Sequence, residues 1–380
     1  MSISVEDLVH DTENKYEIQL IAGRKGLNRM VRWVHIVEDN NTPTTLWGNE
    51  FIFTTGVGNI RKENLMEYVE YLESRDVSGL TLSVGRYYDE ISDELIQYCN
   101  EKEFPLFSIS CNTPLVSITY DLCKKIIRKD RLDMNVAESF RNAILNPGNK
   151  ESYVYNLMKQ GYTEEGYKAF VVCAGVQVDE DTLEHIRIKI KYTMKKHIKR
   201  ISVFELNGNI VIICHGVDEN IAQKLIDGYL ELCNLNKDYK LSMGESCIKN
   251  GFENISEAYQ EAKTALKVAQ IKNRRHFYWE DVGIYGLLLA QNREIVLQDY
   301  YHKYLEPLVD YDAMKGTDYT KILQLYLENQ SSVNEVSNLT YIHRNTVNYR
   351  LSRIKEILNI EMDEEDKMNL RIAFLIRDLI

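Results

Sequence analysis

The sequence SVNEVSNLTYIHRNTVNYRLSRIKEIL, residues 332–358, contains two amphipathic segments separated by a few residues, and this pair decides the fold of the C-terminal region. Ser332 followed by Glu335 predicts a capping box that starts a helix of about two turns. A turn is expected around Thr340 to Ile342. A second helix then begins at about His343, because apolar residues recur at helical spacing through Val347, Leu351, Ile354 and Leu358. The pattern predicts a helix-turn-helix whose second helix is buried on one side.

The opposite side of the second helix carries side chains suited to reading a DNA groove. Arginine pairs with guanine and asparagine with adenine, hydroxyl groups reach phosphate, and the first residues of such a helix meet the base edges first. The candidate contacts to double-stranded DNA are His343, Arg344, Asn345, Thr346, Asn348, Tyr349, Arg350 and Arg353. The alternative is an amphipathic helix whose polar face is merely solvated. A short capped helix, a tight turn and a base-competent second helix occurring together favour DNA binding.

Towards the N-terminus, short β-rich runs alternate with helical stretches, which is typical of a parallel sheet flanked by helices. The predicted strands are 19–23, 34–38, 51–55, 79–84 and 105–110. The predicted helices are 62–75, 91–102 and the long segment 114–145. An α/β domain over residues 1–125 is therefore expected.

Small and polar residues follow two of these strands, where ligands bind in open parallel sheets. The candidate ligand contacts are Glu38, Thr54, Thr55, Gly56 and Arg86. The alternative is that the glycines only make tight strand-to-helix turns, since neither stretch matches a P-loop or a dinucleotide-binding fingerprint.

A helical linker over 126–165 leads to a predicted α+β domain over 166–275. Its strands are 167–178 and 201–216, the latter folded into a hairpin at Asn207-Gly208. Helices are predicted over 185–200, with an apolar stripe every fourth residue from Ile186 to Ile198, and over 255–271. A helical connector (276–312) and the helix-turn-helix domain (313–380) complete a multidomain α/β, α+β and all-α chain.

Two basic segments of the middle region leave alternatives open. The run from Arg187 to Arg200 is either the solvated face of an amphipathic helix or a second anion site, and its regular apolar stripe favours the solvated face. The segment from Lys272 to His276 is either a linker or an accessory phosphate contact.

The chain has 380 residues, 44% hydrophobic and 27% charged, which is a globular composition with room for three domains. Its net charge of −11 is mostly N-terminal, because residues 1–125 carry 12 basic and 20 acidic side chains whereas residues 313–380 carry 9 and 10. Local charge governs contact with DNA, so the overall acidity does not exclude a nucleic-acid partner.

Several classes of protein are disfavoured. No apolar run approaches the roughly 18 residues of a membrane span, and the N-terminus lacks a signal-peptide pattern, so we expect a cytoplasmic protein without a membrane partner. The seven cysteines lack metal-ligand spacing and are predicted to be reduced core thiols. The eight histidines show no HxxxH or HExxH pattern, so neither a metal nor another cofactor is expected.

Residues 326–376, with HRNTVNYRLSRI as the most specific part, resemble the C-terminal helix-turn-helix of PucR-type (purine catabolism) and sugar-diacid regulators. LIAGRKGLNRMVRWVHIVE (20–38), FIFTTGVG (51–58) and 78–109 are similar to the PucR input domain. KLSMGES (240–246) and the helix after it are similar to a degenerate GGDEF-like domain. An active diguanylate cyclase of that fold needs acidic metal ligands in its hairpin turn, where this chain has Asn207 to Asn209. The resemblance therefore implies no cyclase activity.

This resemblance implies a dimeric or higher-order, sequence-specific transcription regulator, more often an activator than a repressor, in nitrogen or purine catabolism. A small metabolite or a partner protein would act at the N-terminal domain, and RNA polymerase is a further expected partner. The alternatives are a regulator controlled by protein partners without a ligand, and a nucleotide-handling enzyme in the α/β or GGDEF-like domain. The enzyme lacks support, because no paired acid and base, metal or nucleophile pattern is present.

Overall fold

The computed structural model describes residues 3–10, 12–39, 46, 48–58, 60, 62–88, 90–175, 178–235, 240–289 and 294–379. The chain forms two compact units. The first comprises Met1–Tyr167, Val176–Lys237 and Ile248–Ser256, and the second comprises Lys168–Gly175, Asp238–Cys247 and Glu257–Ile380.

The first unit begins with the predicted α/β domain. Its strands are β1 (Ile3–Ser4), β2 (Gln19–Ala22), β3 (Met30–Val31), β4 (Trp33–Ile36), β5 (Glu50–Thr54), β6 (Gly79–Val84) and β7 (Leu106–Ser110). Its helices are α1 (Val5–Val9), α2 (Glu13–Tyr16), α3 (Leu65–Ser74), α4 (Asp93–Glu101) and α5 (Leu115–Leu145). The main sheet has the order β2-β7-β6-β5-β4, and β1 pairs separately with β3.

Both faces of this sheet are buried, as expected where helices cover a parallel sheet. Side chains alternate along β5, so that Ile52 joins a core with Leu72 of α3, whereas Phe51 joins a core with Leu122 of α5. The predicted parallel pairing is confirmed for β4, β5, β6 and β7. The strand β2 differs, because it adds to the edge at β7 in the antiparallel direction.

The rest of the first unit contains α6 (Val154–Lys159), α7 (Glu180–Lys195), β9 (Arg200–Leu206), β10 (Asn209–His215) and α8 (Glu219–Leu235). The predicted hairpin is confirmed. Asn207 and Gly208 both have positive φ, at 53° and 73°, as a two-residue type I′ turn requires. The helix α7 begins five residues before the predicted start, because Asp179 caps it by accepting a hydrogen bond from the Thr182 amide at 2.7 Å.

The second unit contains β8 (Tyr167–Ala174, without its first residue), β11 (Leu241–Glu245), β12 (His276–Tyr278) and most of α9 (Ile255–Ile271). The strand β11 pairs antiparallel with β8 and parallel with β12. Here the predicted helical connector, 276–312, is wrong at its start, since His276 lies in a strand and binds Glu245 Oε2 through its Nε2 at 2.6 Å. Three residues are too few to give a periodic signal.

Helices make up the rest of the second unit. They are α10 (Ile284–Leu289), α11 (Glu294–Tyr304), α12 (Glu306–Lys315), α13 (Tyr319–Glu328), α14 (Val333–Thr340), α15 (Arg344–Leu358) and α16 (Glu364–Arg377). Asp363 caps α16 in a full capping box with Asp366. None of the described helices combines the length and apolar character that crossing a lipid bilayer requires.

The cysteines are free thiols, of which Cys99, Cys214 and Cys233 are buried. The prediction of core thiols is wrong for Cys111, which is exposed because it follows the end of β7 in a turn.

Gly244 in β11 gives a direct test of the packing in the second unit. A Cβ atom at this position would lie 2.0 Å from the Ala262 carbonyl oxygen and 2.1 Å from the Leu266 amide nitrogen, both backbone atoms of α9. Because backbone cannot rotate away, Gly244→Ala is expected to lower the free energy of unfolding by about 1–3 kcal/mol or more in urea titrations. Gly148→Ala is the control, since nothing lies within 4 Å of its added Cβ. Equal stability of the two variants would contradict the packing.

Candidate DNA-binding site

Three helices and one shared core hold the helix-turn-helix together. Val347 and Ile354 of α15 are fully buried, and they share an apolar core with Val336 of α14 and Leu323 of α13. Leu351 joins them with 8% of its surface exposed. The prediction that this stripe faces the core is therefore confirmed.

Hydrogen bonds fix the turn between α14 and α15. Ser332 caps α14 by accepting from the Glu335 amide at 3.3 Å, which is the first half of the predicted capping box. The Ser337 hydroxyl donates to the Ile342 carbonyl at 2.7 Å, across the turn. Tyr341 ends α14 in the left-handed region with φ 57°. His343 then caps α15, because its Nδ1 accepts from the Asn345 amide at 3.3 Å.

The side of α15 away from the core is open to solvent over its first half. The predicted contacts that are exposed are His343, Arg344, Asn345, Thr346, Asn348 and Tyr349. Two others are half-buried in ion pairs. Arg350 donates to Asp318 Oδ1 at 2.5 Å, and Arg353 pairs with Glu356 within its own helix. The six exposed residues thus form one face at the start of α15, which we call the reading face. The two paired arginines follow it towards the C-terminus of the same helix.

The charge of this region has the sign that DNA requires. Residues 343–358 contain four basic side chains and one acidic side chain, although the whole chain is acidic. The N-terminus of α15 also presents backbone N–H groups and the positive end of the helix dipole to an approaching phosphate.

Tyr341 is a candidate contact that the sequence analysis missed. It is 97% exposed and stands in the turn directly before the reading face. An aromatic side chain in left-handed conformation and in water has no packing role, so its hydroxyl is available to a phosphate. The signal in the sequence was an aromatic residue inside a predicted tight turn.

The predicted ligand contacts in the first unit lie together, with one exception. The Glu38 carboxylate accepts from the Thr55 amide at 2.9 Å and from the Thr54 hydroxyl at 3.1 Å. Gly56 has φ 77° and leaves no room for a side chain, because an added Cβ would lie 2.9 Å from Tyr88. Arg86 is the exception, since it is exposed and packs over the ring of Tyr87.

Two tyrosines belong to the same cluster. Burial raises the pKa of Tyr88 to about 12, while its contact with Thr54 lowers the pKa and the charge of Glu38 raises it. Burial likewise raises the pKa of Tyr68. The Tyr68 hydroxyl is buried and has no hydrogen-bond partner among the residues that the structure describes. The cluster thus combines a carboxylate held by the backbone with an unsatisfied phenol.

The middle hairpin carries amides where a nucleotide cyclase would need carboxylates. Asn209 Nδ2 donates to the Asn207 carbonyl at 3.4 Å, so the turn closes on itself. Within the described ranges, no group of three or more His, Cys, Asp or Glu side chains is arranged to hold a metal ion.

Fold and site together define a multidomain protein that ends in a helix-turn-helix of the DNA-binding kind. Residues 7–126 match the purine catabolism regulatory protein-like family, residues 165–268 match the GGDEF-like domain, and residues 319–376 match the PucR C-terminal helix-turn-helix domain. The chain therefore carries the two domains that PucR-type transcription regulators share, with a GGDEF-like domain between them.

Curated relatives from Bacillus subtilis (strain 168) carry names of the same kind. The DNA-binding transcriptional activator AdeR is 26% identical over 196 residues, which are 49% of this chain and 46% of that protein. The proline-responsive transcriptional activator PutR is 23% identical over 203 residues, 51% of this chain and 49% of that protein. The purine catabolism regulatory protein is 29% identical over 146 residues, 37% of this chain and 27% of that protein. The chain thus spans about half the length of the first two.

Among solved structures, the regulator of polyketide synthase expression from Bifidobacterium adolescentis aligns with a TM-score of 0.33 at 15% identity. The alignment covers 64% of this chain and 92% of the other.

Proposed function

We propose that this chain is a cytoplasmic, sequence-specific DNA-binding transcription regulator in which α15 enters the major groove. One observation carries the proposal: Val347, Leu351 and Ile354 anchor one side of α15, while the reading face on the other side is exposed. Nothing in the folded unit requires arginine, asparagine and threonine at the start of an exposed helix face. Contact with base edges and phosphates does require side chains of these types.

The eight predicted residues divide by role in this proposal. Arg344, Asn345 and Asn348 read base edges, while Thr346 and Tyr349 bind phosphate or sugar through their hydroxyls. His343, at the helix N-terminus, binds phosphate. Arg350 and Arg353 leave their carboxylate partners, Asp318 and Glu356, when DNA binds, and each then contacts a phosphate.

We further propose that the protein binds as a homodimer or higher oligomer and activates transcription through RNA polymerase. One short recognition helix contacts few base pairs, and two half-sites roughly 34 Å apart multiply the affinity. The relatives named as activators support this sign of regulation. The domain limits that we propose are 1–125, 126–165, 166–275 and 313–380, and the helices of the connector between the last two begin at Ile284.

Control comes from the N-terminal domain in this proposal, through a small metabolite of nitrogen or purine catabolism, or alternatively through a protein partner. Glu38, Thr54, Thr55 and Gly56 form the candidate site, and Arg86 is not part of it. The unsatisfied Tyr68 hydroxyl in the same cluster supports a polar ligand, because a buried hydroxyl without a partner costs about 1–3 kcal/mol.

Loss of the first two base-reading side chains tests the DNA proposal. Arg344→Ala with Asn345→Ala is expected to weaken binding to the DNA upstream of the gene at least tenfold, since each good base contact contributes about 1–3 kcal/mol. Gel shift and footprinting measure this effect. Lys315→Ala, which removes an exposed cation at the end of α12, outside α14 and α15, is the control. Binding unchanged by the double substitution would remove α15 as the recognition helix.

A melting-temperature screen tests control by a metabolite. Purine-derived metabolites and amino acids are the panel, and a true effector at 100 times its Kd stabilises the folded state by about 2.7 kcal/mol. Glu38→Gln keeps an oxygen for the Thr55 amide but removes the charge, so the response should drop at least tenfold in apparent affinity. Glu63→Gln, at an exposed glutamate, should respond like the parent chain. An effector that bound the Glu38→Gln variant with the same apparent affinity as the parent chain would show that its site lies elsewhere.

The proposal also assigns no catalysis to the middle domain. Incubation of the purified chain with GTP and Mg²⁺ should yield no cyclic dinucleotide, because the turn at Asn207 to Asn209 offers amides and no carboxylate to a metal. Chromatography of the nucleotides measures the outcome. Product at a rate proportional to protein concentration would overturn the assignment.

A further inference from the structure

We propose that a pocket between α5, α7 and β9 binds a small anion with two negative charges, a phosphate monoester or a dicarboxylate. The cavity has a volume of about 140 Å³ and lies within the first unit. It is separate from both the reading face and the Glu38 cluster. Its charged lining consists of Lys129, Asp133, Lys191, Lys195, Lys199 and Arg200.

Positive charge exceeds negative charge in this lining. Of the described residues that line the pocket, Asp133 alone is acidic, against five cationic side chains. Asp133 binds Lys191 Nζ at 2.7 Å and Lys129 Nζ at 3.4 Å. Burial raises the pKa of Asp133, but the charges of Lys191 and Lys129 together lower it by more than burial raises it. The pKa of Asp133 is therefore below its usual value, and the side chain is ionised. Four positive charges remain in excess.

Part of this charge is withdrawn from water. The Lys191 side chain is only 12% exposed. Burial lowers the pKa of Lys195, and the charges of Lys191 and Lys129 lower it further, whereas Asp133 and Asp7 raise it. Lys191 and Lys195 are one helical turn apart, where like charges repel. Cations crowded in a partly dry cavity lower the stability of the fold unless a counter-charge joins them.

These contacts favour an anion site over a solvated face for the part of the basic run 187–200 that lines the pocket. A solvated face would leave each ammonium group in water, but Lys191 is largely covered, and Lys129 joins it from a different helix. Ammonium and guanidinium groups only donate hydrogen bonds, so a ligand that balances the excess positive charge must accept them. A dianion of phosphate or dicarboxylate type meets both the charge and the acceptor requirement within about 140 Å³.

Thermal melting of the 380-residue chain in chloride buffer tests this inference. Inorganic phosphate and succinate are titrated at constant ionic strength, with sodium chloride as the reference. We expect a saturable rise in melting temperature with at least one of the two, and the tighter one identifies the ligand chemistry. The absence of any saturable rise beyond that of sodium chloride would overturn the proposal.

Lys195→Met assigns the effect to the pocket, because it keeps the aliphatic stem and removes one crowded cation. The affinity for the anion, measured by calorimetry, should fall at least tenfold. The melting temperature in chloride should stay equal or rise, since repulsion is relieved, whereas a purely structural lysine would lower it. Lys196→Met, at the exposed residue that directly follows the end of α7, should bind like the parent chain.

The site would be refuted if Lys195→Met bound the anion as tightly as the parent chain. It would also be refuted if Lys196→Met lost as much affinity for the anion as Lys195→Met. If Lys195→Met does not fold, Lys199→Met removes a cation from the same pocket and is judged by the same criteria. The inference is independent of the DNA proposal, because the Arg344→Ala, Asn345→Ala chain should keep its response to the anion whether or not it binds DNA.

Discussion

The burial of Val347, Leu351 and Ile354 is the contact on which the reading face depends. An isolated helix of 15 residues is marginal in water, and asparagine and threonine near its start are poor helix formers. Burying three aliphatic side chains contributes about 1.5–3 kcal/mol each. The His343 cap and the hydrogen bond from Ser337 to Ile342 fix where the helix starts. Because the buried side of α15 supplies the stability, folding does not restrict which residues occupy its exposed side. Those residues can be the ones that suit DNA.

The protein balances charge differently in its sealed interior and in a pocket that is open to solvent. Lys168, fully buried, binds Glu245 Oε1 at 2.7 Å, and His276 binds the second oxygen of the same carboxylate at 2.6 Å. There each charge has a counter-charge, as a dry interior demands. The pocket beside α7 has five cations and one carboxylate, and it opens to solvent. An imbalance of this kind indicates a ligand site more than a structural one.

The sequence predicted those features that local periodicity and turn chemistry control. The stripe through Val347, the hairpin at Asn207-Gly208 and the buried strand at Phe51 each have a pattern within a few residues. Features set by distant partners were missed. The short strand at His276 exists through its pairing with β11, and the antiparallel direction of β2 is decided at the sheet edge. Likewise, no local pattern brings Lys129 to Lys191, which are far apart in sequence.

The helix α5 has 31 residues and is therefore about 46 Å long. It is continuous, and its first half packs in the core of the α/β domain while its second half contacts β9 and α6. A rigid rod of this length acts as a lever. A tilt of about 3° at one end displaces the other by about 2.4 Å, which is enough to change the register of side-chain packing. Because α5 is continuous, a rotation of its first half would move the contacts that its second half makes with β9.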